Sequence, residues 1–239
     1  MKLFERIRLL RKIHRILGVV IGVQFLAWTI SGLYFSWRDL DVVHGDPWVK
    51  EGRAPSWTYT DLQFLPIDSA VNSGIRSIES AELLDVLDVP YWWVNDSLLV
   101  SARTGLTRGQ LSQEEALTVA QQRAVGSPEL SWIERVEQTG PYHEFREQAL
   151  PAWAIHWDNA DSVVFYVDAR NGQLARVRND AWRWFDALWM FHTMDYATRD
   201  NFNNLLLRVM SFLGLFTVLS GLTLFFSTMR KRGAGTKRS

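Results

Sequence analysis

Histidines are the side chains of this chain best suited to ligate a metal or to move protons near neutral pH. No two of them are spaced as His-x-His or His-x-x-x-His, and the chain has no cysteine, so the sequence predicts no zinc site. Two of the five stand beside apolar segments and are the candidates for chemistry, His14 and His192. The other three are interpreted as surface or packing residues: His44, His143 and His156.

Small residues surround His14. Gly18 and Gly22 follow at i+4 and i+8, so all three side-chain positions share one face of a helix. Such a face allows close helix packing, and it would equally let a flat porphyrin lie against the helix. The sequence leaves both hypotheses open: a histidine beside a packing face, or an axial haem ligand. The predicted helix-packing residues of the whole chain are Gly18, Gly22, Gly32, Gly214, Thr217 and Gly221.

A haem site would need a second chain. His14 and His192 are predicted at opposite ends of a membrane helix, separated by roughly 30 Å at about 1.5 Å per residue, so one iron cannot bind both. A homodimer or a larger membrane complex would supply the missing ligands, and a dimer would form a four-helix bundle, a common setting for cofactors. Two b-type haems, one near each membrane face, could then carry electrons across.

Two uncharged runs predict membrane-spanning helices. They are 22 residues between Arg15 and Arg38 and 21 residues between Arg208 and Arg230, and a span needs about 20 apolar residues. The first run ends in "LYFSWRDL", which offers no signal-peptidase site, so a retained helix is predicted.

The charges are distributed unevenly, although the net charge is zero. The segments 1–15 and 230–239 hold 11 of the 26 basic residues and only one of the 26 acidic ones, which leaves 15 basic against 25 acidic residues between them. Basic flanks favour the cytoplasmic side. We therefore expect both termini in the cytoplasm and the acidic central part outside the membrane. An acidic body also disfavours nucleic-acid binding.

The central part is expected to be α+β. "PAWAIHWDNADSVVFYVDARNGQLARVR" (151–178) predicts three consecutive antiparallel strands, and Ser112 with Glu115 forms a capping box at a helix start. "VSARTG" (100–105) echoes "VDARNG" (167–172), and "LPIDSAV" (65–71) resembles the helix start at 111–117. This indicates two degenerate helix-plus-sheet repeats; two ordinary hairpin turns are the alternative.

A tryptophan-rich segment precedes the second apolar run. Positions 182, 185, 189, 192 and 196 recur at helical spacing and predict an amphipathic helix at the membrane interface, or one that packs on the soluble part. The predicted organisation is a basic tail (1–15), a membrane helix (16–37), a degenerate first repeat (38–110), a second repeat (111–180), an amphipathic interfacial helix with a hinge (181–203), a second membrane helix (204–229) and a basic tail (230–239).

Three segments resemble the PepSY-associated transmembrane family: "HRILGVVIGVQFLAWTISGLYFS", "VVFYVDARNGQLARV", and "FHTMDY" followed by "LLLRVMSFLGLFTVLSGLTLFF". The resemblance covers nearly the whole chain. It implies a bacterial inner-membrane protein with a PepSY domain in the periplasm. Some members are linked to iron uptake, and larger relatives with four spans resemble haem-containing reductases of iron–siderophore complexes.

The resemblance therefore implies a non-enzymatic binding or accessory subunit in iron or metal uptake. A haem-b electron-transfer subunit for periplasmic ferric reduction is the alternative, with His14 and His192 as ligands. Regulation of a periplasmic peptidase is a third hypothesis, which rests on the resemblance alone. No phosphate-binding loop, dinucleotide fingerprint or nucleophile elbow occurs in the sequence, so no catalytic residue is predicted.

Overall fold

A computed structural model of the chain describes residues 3–52, 57, 77–199 and 201–235. The fold is mixed α+β, with two antiparallel sheets and two long apolar helices, as the sequence predicts. The helices are α1 (Leu3–Trp37), α2 (Leu40–His44), α3 (Gln113–Arg123), α4 (Asp180–Thr193) and α5 (Leu205–Gly235), with a 3₁₀ turn at Asp46–Trp48. The strands are β1 (Ala81–Val86), β2 (Val89–Val94), β3 (Leu98–Ser101), β4 (Thr107–Arg108), β5 (Glu129–Val136), β6 (Ala152–Asp158), β7 (Val164–Asp168) and β8 (Leu174–Arg178).

The chain divides into two compact units. A helical unit comprises residues 1–38 and 185–239, and a sheet unit comprises residues 39–184. The helical unit contains two helices that are long and apolar enough to cross a membrane, over Ile7–Trp37 and Leu205–Ser227. The segment 1–15, expected as a tail, continues α1 from Leu3 onward, and α5 likewise continues through the basic residues to Gly235.

Helix α1 packs along one narrow stripe. Its covered positions recur at alternating spacings of three and four residues, which is the seam of a helix in a bundle. Polar residues interrupt this seam: Gln24 and Ser31 are buried, and Ser31 has no exposed surface. Between residues 14 and 35 this stripe comprises His14, Leu17, Ile21, Gln24, Trp28, Ser31 and Phe35, with Gly18, Ala27, Gly32 and Tyr34 partly covered beside it.

Both sheets of the sheet unit are four-stranded antiparallel meanders, ordered β1-β2-β3-β4 and β5-β6-β7-β8. The three strands predicted within 151–178 are present as β6, β7 and β8. The predicted capping box is also present: the Ser112 hydroxyl accepts from the Glu115 amide, and the Glu115 carboxylate accepts from the Ser112 amide. Ala116, Ala120 and Ala124 are buried and spaced four residues apart, so one apolar stripe of α3 faces the core.

One core joins the two sheets and α3. Large side chains come from β1 to β3, including Val86, Trp93 and Leu99, and from β6 and β7, including Ile155 and Phe165. The opposite face of the second sheet carries a smaller cluster in which the Phe145 ring stacks on the Tyr166 ring with centroids 4.4 Å apart. The second sheet therefore has one face in the shared core and one that is only partly covered.

The echoed motifs form the same turn in both sheets. Ser101 and Asp168 each end a strand, and each accepts a hydrogen bond from the amide two residues later through its side chain. Gly105 and Gly172 have φ of 69° and 73°, and their amides bond the carbonyls of Ser101 and Asp168. In both sheets the alanine after the strand-ending residue donates its amide to a proline carbonyl: Ala102 to Pro90, and Ala169 to Pro151. The helix expected near 65–71 in the first repeat lies outside the described residues.

The tryptophan-rich helix α4 is shorter than predicted. It ends at Thr193 because Met194 adopts the left-handed region, with φ of 56°, so Tyr196 lies beyond the helix. Trp182 stacks under the Arg178 guanidinium at 4.0 Å, within the sheet unit. Phe185 and Trp189 instead pack on the Phe35 ring of α1, with centroids 4.7 and 6.0 Å away.

Candidate functional site: two histidine–serine pairs

His14 is held between the two long helices. Its Nδ1 atom lies 2.8 Å from the Oγ atom of Ser220 on α5. The imidazole ring lies over Gly221: a Cβ atom added there would stand 3.1 Å from His14 Cε1. A Cβ atom added to Gly214 would likewise stand 3.8 Å from Cγ2 of Ile21, two turns further along α1. The glycines of α5 thus let the His14 ring and the α1 seam approach its backbone.

Ser220 fixes the tautomer of His14. The Ser220 hydroxyl has one proton, which it donates to the Thr217 carbonyl on its own helix at 2.8 Å. Its oxygen must then accept a hydrogen bond from His14, so the Nδ1 atom carries the ring proton. The lone pair of the neutral ring therefore lies on Nε2, the atom that can ligate a metal or accept a proton.

His192, at the end of α4, repeats this arrangement with α1. Its Nδ1 atom lies 2.7 Å from the Oγ atom of Ser31. The Ser31 hydroxyl donates to its own helix, at 2.9 Å from the Ala27 carbonyl and 3.0 Å from the Trp28 carbonyl. By the same argument His192 carries its proton on Nδ1 and its lone pair on Nε2.

Aromatic rings surround His192. The Trp28 indole nitrogen donates to the His192 carbonyl at 2.8 Å, and the Phe35 and Trp189 rings lie 5.6 and 6.3 Å from the imidazole, centroid to centroid. Burial lowers the pKa of His192. The ring is therefore uncharged at neutral pH, which keeps its Nε2 lone pair available.

The structure does not bring the two histidines together. His14 and the contact of His192 with Ser31 are separated on α1 by about 25 Å of helix rise, at about 1.5 Å per residue. Neither Nε2 atom forms a hydrogen bond with a described residue. Near each end of α1 there is thus one imidazole, and a serine on the neighbouring helix fixes the orientation of its ring.

The donors fit haem better than a bare metal ion. Among the described residues, no group of three or more His, Asp or Glu side chains could hold a metal ion. A haem iron is held by its macrocycle and needs protein only for axial ligands, and a neutral imidazole with its Nδ1 proton engaged is a suitable one. Each of the two histidines would supply one such ligand, and a second would have to come from another chain.

The predicted packing glycines divide into two groups. Gly214 and Gly221 lie at the α1–α5 contact, and Thr217 of the same stripe bonds the Leu213 carbonyl of its own helix. A Cβ atom added to Gly18, Gly22 or Gly32 would meet no heavy atom within 4 Å in the described part of the chain. Their predicted packing role therefore stays a prediction, and it would concern a second chain.

The other histidines belong to the sheet unit. His44 is exposed at the end of α2, and His143 accepts a hydrogen bond from the Phe145 amide at 3.0 Å. His156 lies on β6, on the face opposite Trp153, Ile155 and Trp157, as the alternation predicts. Its Nε2 atom lies 3.3 Å from the Glu134 carboxylate.

His156 opens into a polar cleft of about 520 Å³ on the partly covered face of the second sheet. At one side of the cleft, Glu144 accepts hydrogen bonds from the Tyr166 hydroxyl at 2.8 Å and from Arg183 at 2.8 and 3.2 Å. Burial and the Glu144 carboxylate raise the pKa of Tyr166, so its hydroxyl stays protonated. Sequence reasoning missed this cleft, because its residues come from β5, β6, β7, the loops between these elements and α4.

Sequence reasoning found both histidines of the helical unit but not all of their partners. Ser31, Trp28 and Gln24 were missed, although Gln24 is buried and its amide nitrogen lies 3.4 Å from the Phe191 carbonyl. One signal could have found the serines: each apolar run contains a Ser-Gly pair, Ser31-Gly32 and Ser220-Gly221.

Comparison of the chain with family models, curated proteins and solved structures finds no significant match.

Proposed function

We propose that this chain is an electron-transfer subunit of the bacterial inner membrane that holds b-type haem through His14 and His192. One observation carries the proposal: each histidine is fixed by a buried serine of a neighbouring helix so that its Nε2 lone pair is available. Buried polar residues in a membrane helix are costly, which favours a functional reason for them. Two pairs near opposite ends of α1 suit a path across the membrane.

The protein residues have separate tasks in this proposal. His14 and His192 would hold the haem iron through their Nε2 atoms, while Ser220 and Ser31 orient the two rings and would strengthen them as ligands. Bound haem supplies an iron that gains and loses one electron. A second copy of the chain would provide the opposite imidazole at each level, in a four-helix assembly.

The membrane setting is supported by sequence and structure together. Two helices are long and apolar enough to cross a bilayer, and both are flanked by basic segments on the same predicted side. The sheet unit would then lie in the periplasm. Ferric iron, as a siderophore complex, is the electron acceptor implied by the resemblance to the PepSY-associated family.

The test is a reduced-minus-oxidised visible spectrum of the full chain, purified in a neutral detergent from haem-replete cells. We expect a b-type haem signal in the wild-type spectrum. Its amplitude should be smaller in His14→Ala and in His192→Ala. His44→Ala is the matched control, since His44 is exposed in the other unit, and it should retain the full signal. A flat wild-type spectrum at full protein recovery would overturn the proposal.

A second candidate is an accessory binding subunit in iron or metal uptake, whose helices only anchor a PepSY-like domain. The polar cleft of the sheet unit favours it. The two candidates separate in a deletion strain grown under iron limitation. The double variant His14→Ala/His192→Ala restores growth if the helices are anchors, and it fails to restore growth if they hold haem.

A further inference from the structure

A β-bulge turns Trp132 toward the cleft. Leu130 pairs with Trp157 and Trp132 pairs with His156, so Ser131 is the extra residue on β5. Trp157 and His156 are neighbours on β6 and point to opposite faces of the sheet. The bulge therefore sends Leu130 to the face of Trp157 and Trp132 to the face of His156, since an added residue reverses the alternation.

Trp132 is an exposed aromatic platform. Its indole stacks on the His156 imidazole with centroids 3.9 Å apart and an interplanar angle of 16°. Although the imidazole covers one face of the ring, Trp132 remains 54% exposed. Burial lowers the pKa of His156, with Glu134 opposing the effect, so the ring behind the indole is neutral.

Carboxylates flank this platform. Glu129 stands directly opposite Asp158 in the strand register, and Glu134 contacts His156 from the other end of β5. Like charges directly opposite each other on two strands are destabilising, and a bound cation would reduce that repulsion. Among the described residues, neither Glu129 nor Asp158 forms an ion pair. We call these five residues the Trp132 face: Glu129, Trp132, Glu134, His156 and Asp158.

The cation of the cleft does not offset these acids. Arg183 is engaged by Glu144 and by Asp180, whose carboxylate lies 2.9 Å from its Nη1 atom. Glu129, Glu134 and Asp158 therefore leave the Trp132 face with a negative charge. An exposed indole with nearby carboxylates is the arrangement that attracts an ammonium or guanidinium group.

We propose that the Trp132 face binds basic side chains of an extended segment of a partner polypeptide. The acidic groups lie at both ends of the platform, about 13 Å apart, or four strand steps of about 3.3 Å. Two basic residues at i and i+4 of an extended segment match that separation. Because β5 is the end strand of its sheet, a segment can lie alongside it, and the bulge favours recognition through side chains over an added strand.

This inference deepens the accessory-subunit candidate by giving the class of its partner, and it does not depend on haem. The probe is a fluorescent peptide, Gly-Arg-Ser-Gly-Ser-Arg-Gly, titrated with the full chain in a neutral detergent at low salt. Fluorescence anisotropy reports binding. A matched peptide with Glu in place of both Arg residues controls for non-specific contacts.

We expect Trp132→Ala to weaken binding of the Arg peptide about fivefold. The double variant Glu129→Gln/Glu134→Gln should weaken it by a similar factor and reduce its dependence on salt. Leu130→Ala is the matched control, because Leu130 is on the same strand and faces away. Equal binding of the Arg peptide to all four proteins, or of the Glu peptide to the wild type, would overturn the inference. Either result would leave the haem test unaffected.

Discussion

At the scale of single residues, the serines that fix the two histidines are as informative as the histidines. Ser220→Ala removes the acceptor of the His14 Nδ1 proton and leaves the ring free to rotate. Loss of such a supporting hydrogen bond lowers metal affinity by about tenfold or more. We expect haem titration of the apoprotein to show this weakening for Ser220→Ala.

Thr223→Ala is the control for that variant. Thr223 is exposed on the same helix, and its hydroxyl bonds only the Leu219 carbonyl of α5. Its removal should leave haem affinity unchanged. If Ser220→Ala and Thr223→Ala titrate like the wild type, then Ser220 has no role in positioning His14.

A second prediction concerns Asp195, in the turn between α4 and α5. Burial acts to raise its pKa, but hydrogen bonds from the Thr198 hydroxyl and from the amides of Asn201, Thr198 and Ala197 outweigh burial and lower the pKa to about 2. A folded-state pKa below the unfolded value of about 4 stabilises the fold above pH 4, and that contribution disappears as the pH falls toward 2.

Asp195→Asn should therefore melt at a lower temperature than the wild type at pH 7, and the difference should shrink between pH 4 and pH 2. Thermal unfolding in detergent, followed by circular dichroism, measures both. Asp161→Asn is the control, since Asp161 is exposed. If the melting temperatures of Asp195→Asn and the wild type differ by the same amount across this pH range, the ionised Asp195 carboxylate does not stabilise the fold.

At the scale of elements, two glycines allow backbone strain and packing to be separated. Gly45 and Gly126 both have positive φ, 94° and 74°. A Cβ atom added to Gly45 would lie 2.5 Å from Val177 Cγ1, whereas one added to Gly126 would meet nothing within 4 Å. Both alanine variants carry the backbone penalty, of about 1 kcal/mol. Only Gly45→Ala adds the overpacking cost, of about 1–3 kcal/mol.

Denaturant unfolding of the two variants should therefore show that Gly45→Ala is the less stable by about 1–3 kcal/mol. Their matched backbone conformations make the comparison direct. Equal stability would mean that the contact between α2 and β8 at Val177 relaxes without cost.

Regular elements were predictable where local chemistry decides them. The capping box fixed the start of α3, and turn residues delimited β6, β7 and β8. Strand β5 was missed because most of its residues are exposed and only Val136 is buried, so its sequence shows no alternation of buried and exposed positions. The end of α4 was missed because Met194 leaves the helical region in response to the Asp195 turn, which depends on contacts rather than on propensity.

For the candidate site, too, the sequence predicted single residues but not the contacts between elements. The positions of His14 and His192 beside apolar runs were visible in the sequence. Their pairing with Ser220 and Ser31 was not, because it requires knowing which turns of α1, α4 and α5 face one another. The cleft was invisible for a similar reason: Trp132 and His156 stack only because a bulge reverses one strand.

At the scale of the whole molecule, the distribution of charge predicts its orientation. Reporter enzymes that are active only outside the cytoplasm should be active when fused within the sheet unit, for example after Gly140, and inactive when fused to either terminus. Replacing the basic residues of 1–15 with Gln should weaken this preference. Activity of terminal fusions in the wild-type chain would contradict the proposed topology.

The most direct test of the central claim is a count of haem per chain in the purified assembly, with the single and double histidine variants measured alongside. In a homodimer that holds one haem between the two copies of each histidine, the wild type binds about one haem per chain. His14→Ala and His192→Ala should each retain about half of it, and the double variant none. Wild-type protein without haem, or a double variant that binds as much as the wild type, would contradict the account.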